Sequence, residues 1–173
     1  MSELPQLPPL VLVALYAAIW LVFHFGVGFL MHRLPSRTFV ARGGLSRSIC
    51  RLRRFERGGV VYERILGIRR WKHWLPEAGD FYRGGVSKAT LQSRSKEHLG
   101  LHLRENRRAE LSHWLTAALS LTFFLWNPWY VGLIMIGYAA VTNLPCILVQ
   151  RFNRARMLTV YRKAGGEKAG EEE

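Results

Sequence analysis

Thirty-six consecutive residues, 114–149, contain no Asp, Glu, Lys, Arg or His, and across residues 10–31 the ionisable side chains are Tyr16 and His24 alone. Between these stretches, residues 33–110 carry 19 basic against 7 acidic side chains. A water-soluble domain spreads charge over every element, because each amphipathic helix or strand keeps a polar face. A disordered chain, in turn, does not reach 49% hydrophobic residues. Segregation of this kind specifies an all-α integral membrane protein, with apolar helices in the bilayer and a basic segment against its surface.

Three spans are expected, at about 9–31, 109–126 and 129–149, each near the roughly 20 residues needed to cross about 30 Å of hydrocarbon. A cleaved signal peptide is the alternative for the first. It fits less well, because no Lys or Arg precedes the apolar run and the run is long for a signal core. Asn127-Pro128 is a turn signal that leaves no hydrophilic loop, so the second and third spans should form a tight helical hairpin. The residues before the first span hold Glu3 and no Lys or Arg, whereas 33–108 and the tail from Arg151 are basic. The positive-inside bias then places the N-terminus outside the cell membrane and the 33–108 segment and C-terminus in the cytoplasm. Residues 1–173 read as one membrane domain, with a Gly- and Glu-rich stretch at 164–173 expected to be disordered. Cys50 and Cys146 fall in different environments and suggest no disulfide.

In the basic segment, Leu45, Ile49, Leu52 and Phe55 recur at helical spacing with Arg47, Arg51, Arg53, Arg54 and Arg57 between them. This predicts a helix in the headgroup layer, or a solvated helix packed on its own protein. No nucleic-acid motif accompanies the charge, so nucleic acid is not an expected partner. Residues 60–68 are β-branched behind Gly58-Gly59 and admit either an extended run or a short helix. Arg69-Arg70-Trp71-Lys72-His73-Trp74-Leu75-Pro76 interleaves cations and aromatics, which makes Lys72 and His73 candidate phosphate contacts at the interface. Ser87 is a candidate cap for a helix through Leu91, Leu99 and Leu103, kinked at Gly100, that leads into the second span.

If Asn127-Pro128 is the tip of the hairpin, His113 and Asn143 lie at matching depth, roughly 21 to 23 Å below it at about 1.5 Å per residue. Glu110 shares the face of His113, one turn nearer the cytoplasm. Arg108, Arg151 and Arg154 emerge at the same boundary. An imidazole, a carboxylate and an amide meeting under a ring of arginines at that depth point to a functional site, with His113, Glu110 and Asn143 as its candidate members. The simpler alternative pairs Glu110 with Arg151 or Arg154 and merely pins the two helices. His98, His102 and Glu105 form a row at helical spacing, but it lacks the HExxH pattern and any Cys cluster, so no metal and no cofactor is expected.

Three blocks carry a resemblance. They are Ile68-Arg69-Arg70-Trp71-Lys72-His73, then Glu105-Asn106-Arg107-Arg108-Ala109-Glu110-Leu111-Ser112-His113-Trp114, and Tyr138-Ala139-Ala140 with Asn143-Leu144-Pro145 through Gln150-Arg151-Phe152-Asn153-Arg154-Ala155-Arg156. In this order, over about residues 60–158, the chain resembles the glycosyl-4,4'-diaponeurosporenoate acyltransferases of carotenoid biosynthesis. The resemblance implies a membrane enzyme that esterifies a sugar hydroxyl of a glycosylated C30 carotenoid with a fatty acyl chain. Its partners would be a carotenoid-glycoside acceptor and an acyl thioester donor. For that implied reaction His113 would be the base, Glu110 would orient it and Asn143 would donate to the oxyanion or bind the sugar. Arg108, Arg151 and Arg154 would hold the phosphates of acyl-CoA or of an acyl carrier protein. Direct transfer is favoured over an acyl-enzyme on Cys146, which has no evident base. Three spans enclose two long substrates thinly, which leaves room for a second copy or a biosynthetic partner enzyme. The competing readings are another interfacial lipid-modifying enzyme, and a non-enzymatic membrane subunit that binds anionic lipid.

Overall fold

The computed structural model describes residues 8–39, 44–75 and 96–163, and every regular element within them is helical. Helix α1 (Pro9–Arg33) opens on a proline, whose missing N–H costs nothing in a first turn. It ends where the Leu34-Pro35 step forces extended backbone. A 3-10 turn (Ser36–Phe39) and α2 (Gly44–Cys50) follow, then a second 3-10 turn (Arg54–Gly59), α3 (Val60–Leu66), α4 (Ile68–Trp71) and a third turn (Lys72–Trp74). Helix α5 (Lys96–Leu119) continues as a 3-10 stretch (Ser120–Leu125), and α6 (Trp129–Lys163) closes the described chain. Ser87, Leu91, Pro76 and the tail at 164–173 lie outside the described residues. The expected kink at Gly100 is not found; α5 runs through it unbroken.

Helices α1 and α6 are long and apolar enough to cross a membrane. Helix α1 buries only Trp20 and Val27, while Leu10, Val13, Val22 and Phe25 stand well exposed. An exposed apolar stripe on that scale fits membrane association. The second expected span differs from an ordinary helix. After Leu119 the backbone tightens to 3-10, and the hydroxyls of Ser120 and Thr122 donate to the carbonyls of Ala117 and Leu119, three residues back. The expected turn at Asn127-Pro128 is present. Asn127 Nδ2 donates to the Phe123 carbonyl at 3.0 Å, and Tyr16 of α1 donates to Asn127 Oδ1 at 2.5 Å. Helix α1 is thereby tied to the hairpin tip, and Trp20 stacks on Phe123 with ring centroids 5.7 Å apart.

The expected continuous helix over residues 45–55 is broken. Helix α2 stops at Cys50 because the carbonyls of Ile49, Cys50 and Arg51 accept from Arg151 and Arg154 of α6 instead of from the next helical turn. Phe55 is consequently exposed rather than part of a buried stripe. Of the two conformations open to residues 60–68, the short helix is the one adopted. Tyr62 and Ile68 then pack on Phe152 as a small core at the base of α6. Gly59 has φ +75°, and a Cβ there would come within 3.0 Å of Phe152.

At the hairpin, a Cβ on Gly132 would sit 2.5 Å from the Phe124 ring, whereas one on Gly137 meets nothing within 4 Å. Gly132→Val should therefore cost about 1–3 kcal/mol, read as a lowered unfolding temperature in detergent. Gly137→Ala should leave that temperature unchanged or raise it.

Candidate active site

Helices α5 and α6 pack antiparallel below the Asn127 tip, which brings His113 and Asn143 together. His113 Nδ1 lies 3.0 Å from Asn143 Oδ1. The amide orientation is set by its own helix, since Asn143 Nδ2 donates to the Ala139 carbonyl at 3.0 Å and to Thr142 Oγ1 at 3.1 Å. Asn143 is fully buried. An oxygen so oriented accepts, so His113 donates from Nδ1, and the neutral ring carries its lone pair on Nε2.

Glu110 does not orient the imidazole. Its side chain is fully buried, and its oxygens accept from Arg151 Nη1 at 2.8 Å, from Arg154 Nη1, and from Trp114 Nε1 at 3.4 Å. The carboxylate pins α5 to α6 one turn below His113, which was the simpler of the two expectations for it. Asn143 lies against the ring instead, and its Nδ2 is taken by Ala139 and Thr142.

The three arginines expected to meet a donor's phosphates are committed inside the protein. Arg151 holds Glu56 through two nitrogens, at 2.7 and 2.8 Å, and spends its remaining donors on Glu110 and the Ile49 and Arg51 carbonyls. Arg154, fully buried, holds Glu110, Asn106 Oδ1 and the Cys50 carbonyl. Arg108 pairs with Glu105 at 2.9 Å, donates to Leu34 O and Ser36 Oγ, and covers the Phe39 ring. Lys72 lies over the Phe152 ring, and His73 is exposed beside Trp74. Cys146 donates to the Thr142 carbonyl at 3.7 Å. His98 and His102 have ring centroids 6.2 Å apart, and among the described residues no three His, Cys, Asp or Glu groups converge on a metal position.

Glu56 and Tyr62 escaped the sequence reading. Tyr62 donates to Glu56 Oε1, and the Arg53 amide donates to Glu56 Oε2. Burial alone raises the Glu56 pKa, but the bonds from Arg151, Tyr62 and Arg53 outweigh it, and the carboxyl titrates below its ordinary range. Tyr62 moves up, first by burial and then by its bond to Glu56. Burial, followed by the charge of Glu110, pushes the Cys50 thiol up to about 12. The available signal for Glu56 was its isolation: it is the one acid in the run Arg51-Leu52-Arg53-Arg54-Phe55-Glu56-Arg57.

Comparison with known proteins decides the family. The sequence profile described as glycosyl-4,4'-diaponeurosporenoate acyltransferase matches residues 46–163, which take in most of α2, all of α3 to α6, and His113, Asn143, Glu110, Glu56, Arg151 and Arg154. The chain belongs to that acyltransferase family. A glycosyl-4,4'-diaponeurosporenoate acyltransferase of Staphylococcus haemolyticus (strain JCSC1435) is 31% identical over 85% of this chain and 83% of its own. One of Staphylococcus aureus (strain bovine RF122 / ET3-1) is 29% identical over 86% and 88%. No solved structure matches. An acyltransferase of this family therefore carries a buried ion cluster directly beneath a His–Asn pair.

The Glu56 clamp should be sensitive to acid. Its folded-state pKa is depressed, so its stabilisation is present above the unfolded carboxyl range and is lost as pH falls through the folded value. Hydrogen-exchange protection over residues 49–62, taken relative to the intrinsic rate at each pH, should fall on acidification in the wild type. Glu56→Gln, which strips a buried pair at a cost on the order of 3 kcal/mol, should show low protection already at neutral pH with little further change in protection. A second readout is Cys50, which should resist maleimide at pH 8 in the wild type and become reactive in Glu56→Gln.

Proposed function

We propose that the protein transfers a fatty acyl group from a thioester donor, acyl-CoA or acyl carrier protein, to a sugar hydroxyl of a glycosylated C30 carotenoid. The observation that carries the chemistry is the bond between His113 Nδ1 and Asn143 Oδ1. It leaves the Nε2 lone pair as the base. Nε2 takes the proton of the sugar hydroxyl as its oxygen adds to the thioester carbonyl. The C–S bond then breaks, and the imidazolium returns the proton to the departing thiolate. Asn143 Oδ1 stabilises the imidazolium while it exists, so Asn143 acts as a positioning residue. No acyl-enzyme on Cys146 is needed. The substrate class follows the family: the relatives' names specify this acceptor and transfer to it.

The same reading places the chain in the cell membrane with three spans, N-terminus outside and C-terminus cytoplasmic. Although the second span is not one long helix, its α-helical half from residue 109 and its 3-10 half together rise about 28 Å, since a 3-10 residue advances about 2.0 Å rather than 1.5 Å. That length approaches the hydrocarbon thickness. His113 then sits within the inner leaflet, where polyene and acyl chain lie in hydrocarbon and the thioester arrives from the cytoplasm. With Arg108, Arg151 and Arg154 committed internally, the donor's phosphate is assigned to the cytoplasmic rim, where His73 is exposed and Lys72 lies over the Phe152 ring.

In membranes supplied with both substrates, His113→Ala should lower ester formation by about 10²- to 10⁴-fold, the range for a lost general base, with the protein still inserted. Asn143→Asp should retain activity but move the acidic limb of the pH–rate profile to higher pH, because a carboxylate stabilises the imidazolium more than an amide does. Mass spectrometry of lipid extracts should show an added fatty acyl mass on the carotenoid glycoside in wild-type cells alone. Unchanged acylation by His113→Ala removes the proposed base, and a different mass change assigns the protein to another lipid modification.

A further inference from the structure

The side chains of 53–65 present a combination that neither the ion cluster nor the His–Asn pair uses. Phe55 is 65% exposed and Ile65 is 74% exposed. Arg53, Arg54, Arg57 and Arg64 surround them in sequence and are all exposed. The two acids of the stretch are spent elsewhere: Glu56 is buried against Arg151, and Glu63 pairs with Arg69 at 3.1 Å. Four arginines therefore have no carboxylate partner among the described residues.

The height of this surface is fixed by what it is bonded to. The apolar run of α6 from Trp129 to Val149 rises about 31 Å, the thickness of the hydrocarbon layer. Arg151, two residues further along, holds the carbonyls of Ile49 and Arg51 and the Glu56 carboxylate. Phe152, the next residue, packs on Tyr62. Ile49, Arg51, Glu56 and Tyr62 are thus tied to α6 residues whose backbone lies about 3–5 Å past the end of that run, at the height of a headgroup layer some 5–8 Å deep.

We infer that the 53–65 surface is a docking face for anionic phospholipid in the inner leaflet, its arginines on lipid phosphates and Phe55 and Ile65 at the acyl boundary. This rests on the membrane topology proposed above, not on the acyl-transfer reaction. A surface that held only an acidic carrier protein would gain from the charges but has no need of two large apolar side chains raised out of the protein at this height. A bilayer surface uses both. Because Arg151 joins this face to Glu110, seating on the membrane also bears on the α5–α6 register that holds His113 against Asn143.

The test places the full chain in nanodiscs of phosphatidylcholine alone or of phosphatidylcholine with 30% phosphatidylglycerol. An environment-sensitive fluorophore is attached at Ile65→Cys and, separately, at Phe55→Cys, with the unmodified protein as labelling control. Blue-shifted emission at both positions is expected, larger in the anionic discs and reversed by salt. Replacing Arg54 and Arg57 with Gln should erase the dependence on anionic lipid while leaving the unfolding temperature unchanged, since neither group has a described internal carboxylate. Emission that is water-like and equal in the two discs overturns the inference, as does a blue shift produced only by added acyl carrier protein. Loss of ester formation by His113→Ala is independent of these spectra, so the failure of one proposal is distinguishable from the failure of the other.

Discussion

A single buried carboxylate, Glu110, shared between Arg151 and Arg154, holds this molecule together at the level where its helices leave the apolar zone. Burying three charges carries a large desolvation cost, and the arrangement is tolerable only because nearly every donor and acceptor finds a partner. The partners come from far apart in the chain. Arg151 reaches Glu56, 95 residues away, and Arg154 reaches the Cys50 carbonyl, 104 residues away. The cluster therefore does what a hydrophobic core does in a soluble domain: it fixes segments far apart in sequence against one another. It also sets the register of α5 against α6. His113 is one turn above Glu110, so a slip of the two helices would separate the imidazole from Asn143.

Much of the plan was legible in the sequence, and for identifiable reasons. Charge segregation gave α1 and α6, because apolar length is read directly from composition. Asn127-Pro128 gave the turn, and counting residues on either side of it paired His113 with Asn143, since helical rise is nearly constant. The resemblance carried by the 105–114 and 138–156 blocks pointed to the family that the comparisons then established. What failed to show were interactions that depend on capture rather than on periodicity. Leu45, Ile49, Leu52 and Phe55 have good helical spacing, yet two guanidinium groups from 100 residues away take the carbonyls a longer helix needs. The 3-10 stretch from Ser120 is likewise hidden, since an apolar pattern does not distinguish it from α-helix.

The meeting of His113 with Asn143 was legible, whereas the choice of partners by Glu110 and the arginines was not. Depth placed Glu110 near His113 and helical phase put them on one face, but neither quantity says which neighbour a carboxylate chooses. Two guanidinium groups outbid an imidazole for a buried Glu, as charge-assisted pairing predicts. The same commitment withdraws Arg151 and Arg154 from any ligand and leaves the amide of Asn143 as the partner of the ring. A His–amide pair fixes the tautomer without adding a second buried negative charge. Under the proposed mechanism, that suits a base which must stay neutral until it takes a proton.

The central claim is that a helical hairpin locked by Glu110 holds His113 with Nδ1 on Asn143 and its lone pair on Nε2. Side-chain ¹⁵N chemical shifts of His113, in histidine-labelled protein in nanodiscs at neutral pH, read that state directly. A protonated Nδ1 and an unprotonated Nε2, with the preference lost in Asn143→Ala, is the predicted result. A ring protonated on Nε2, or a tautomer indifferent to the amide, would contradict it.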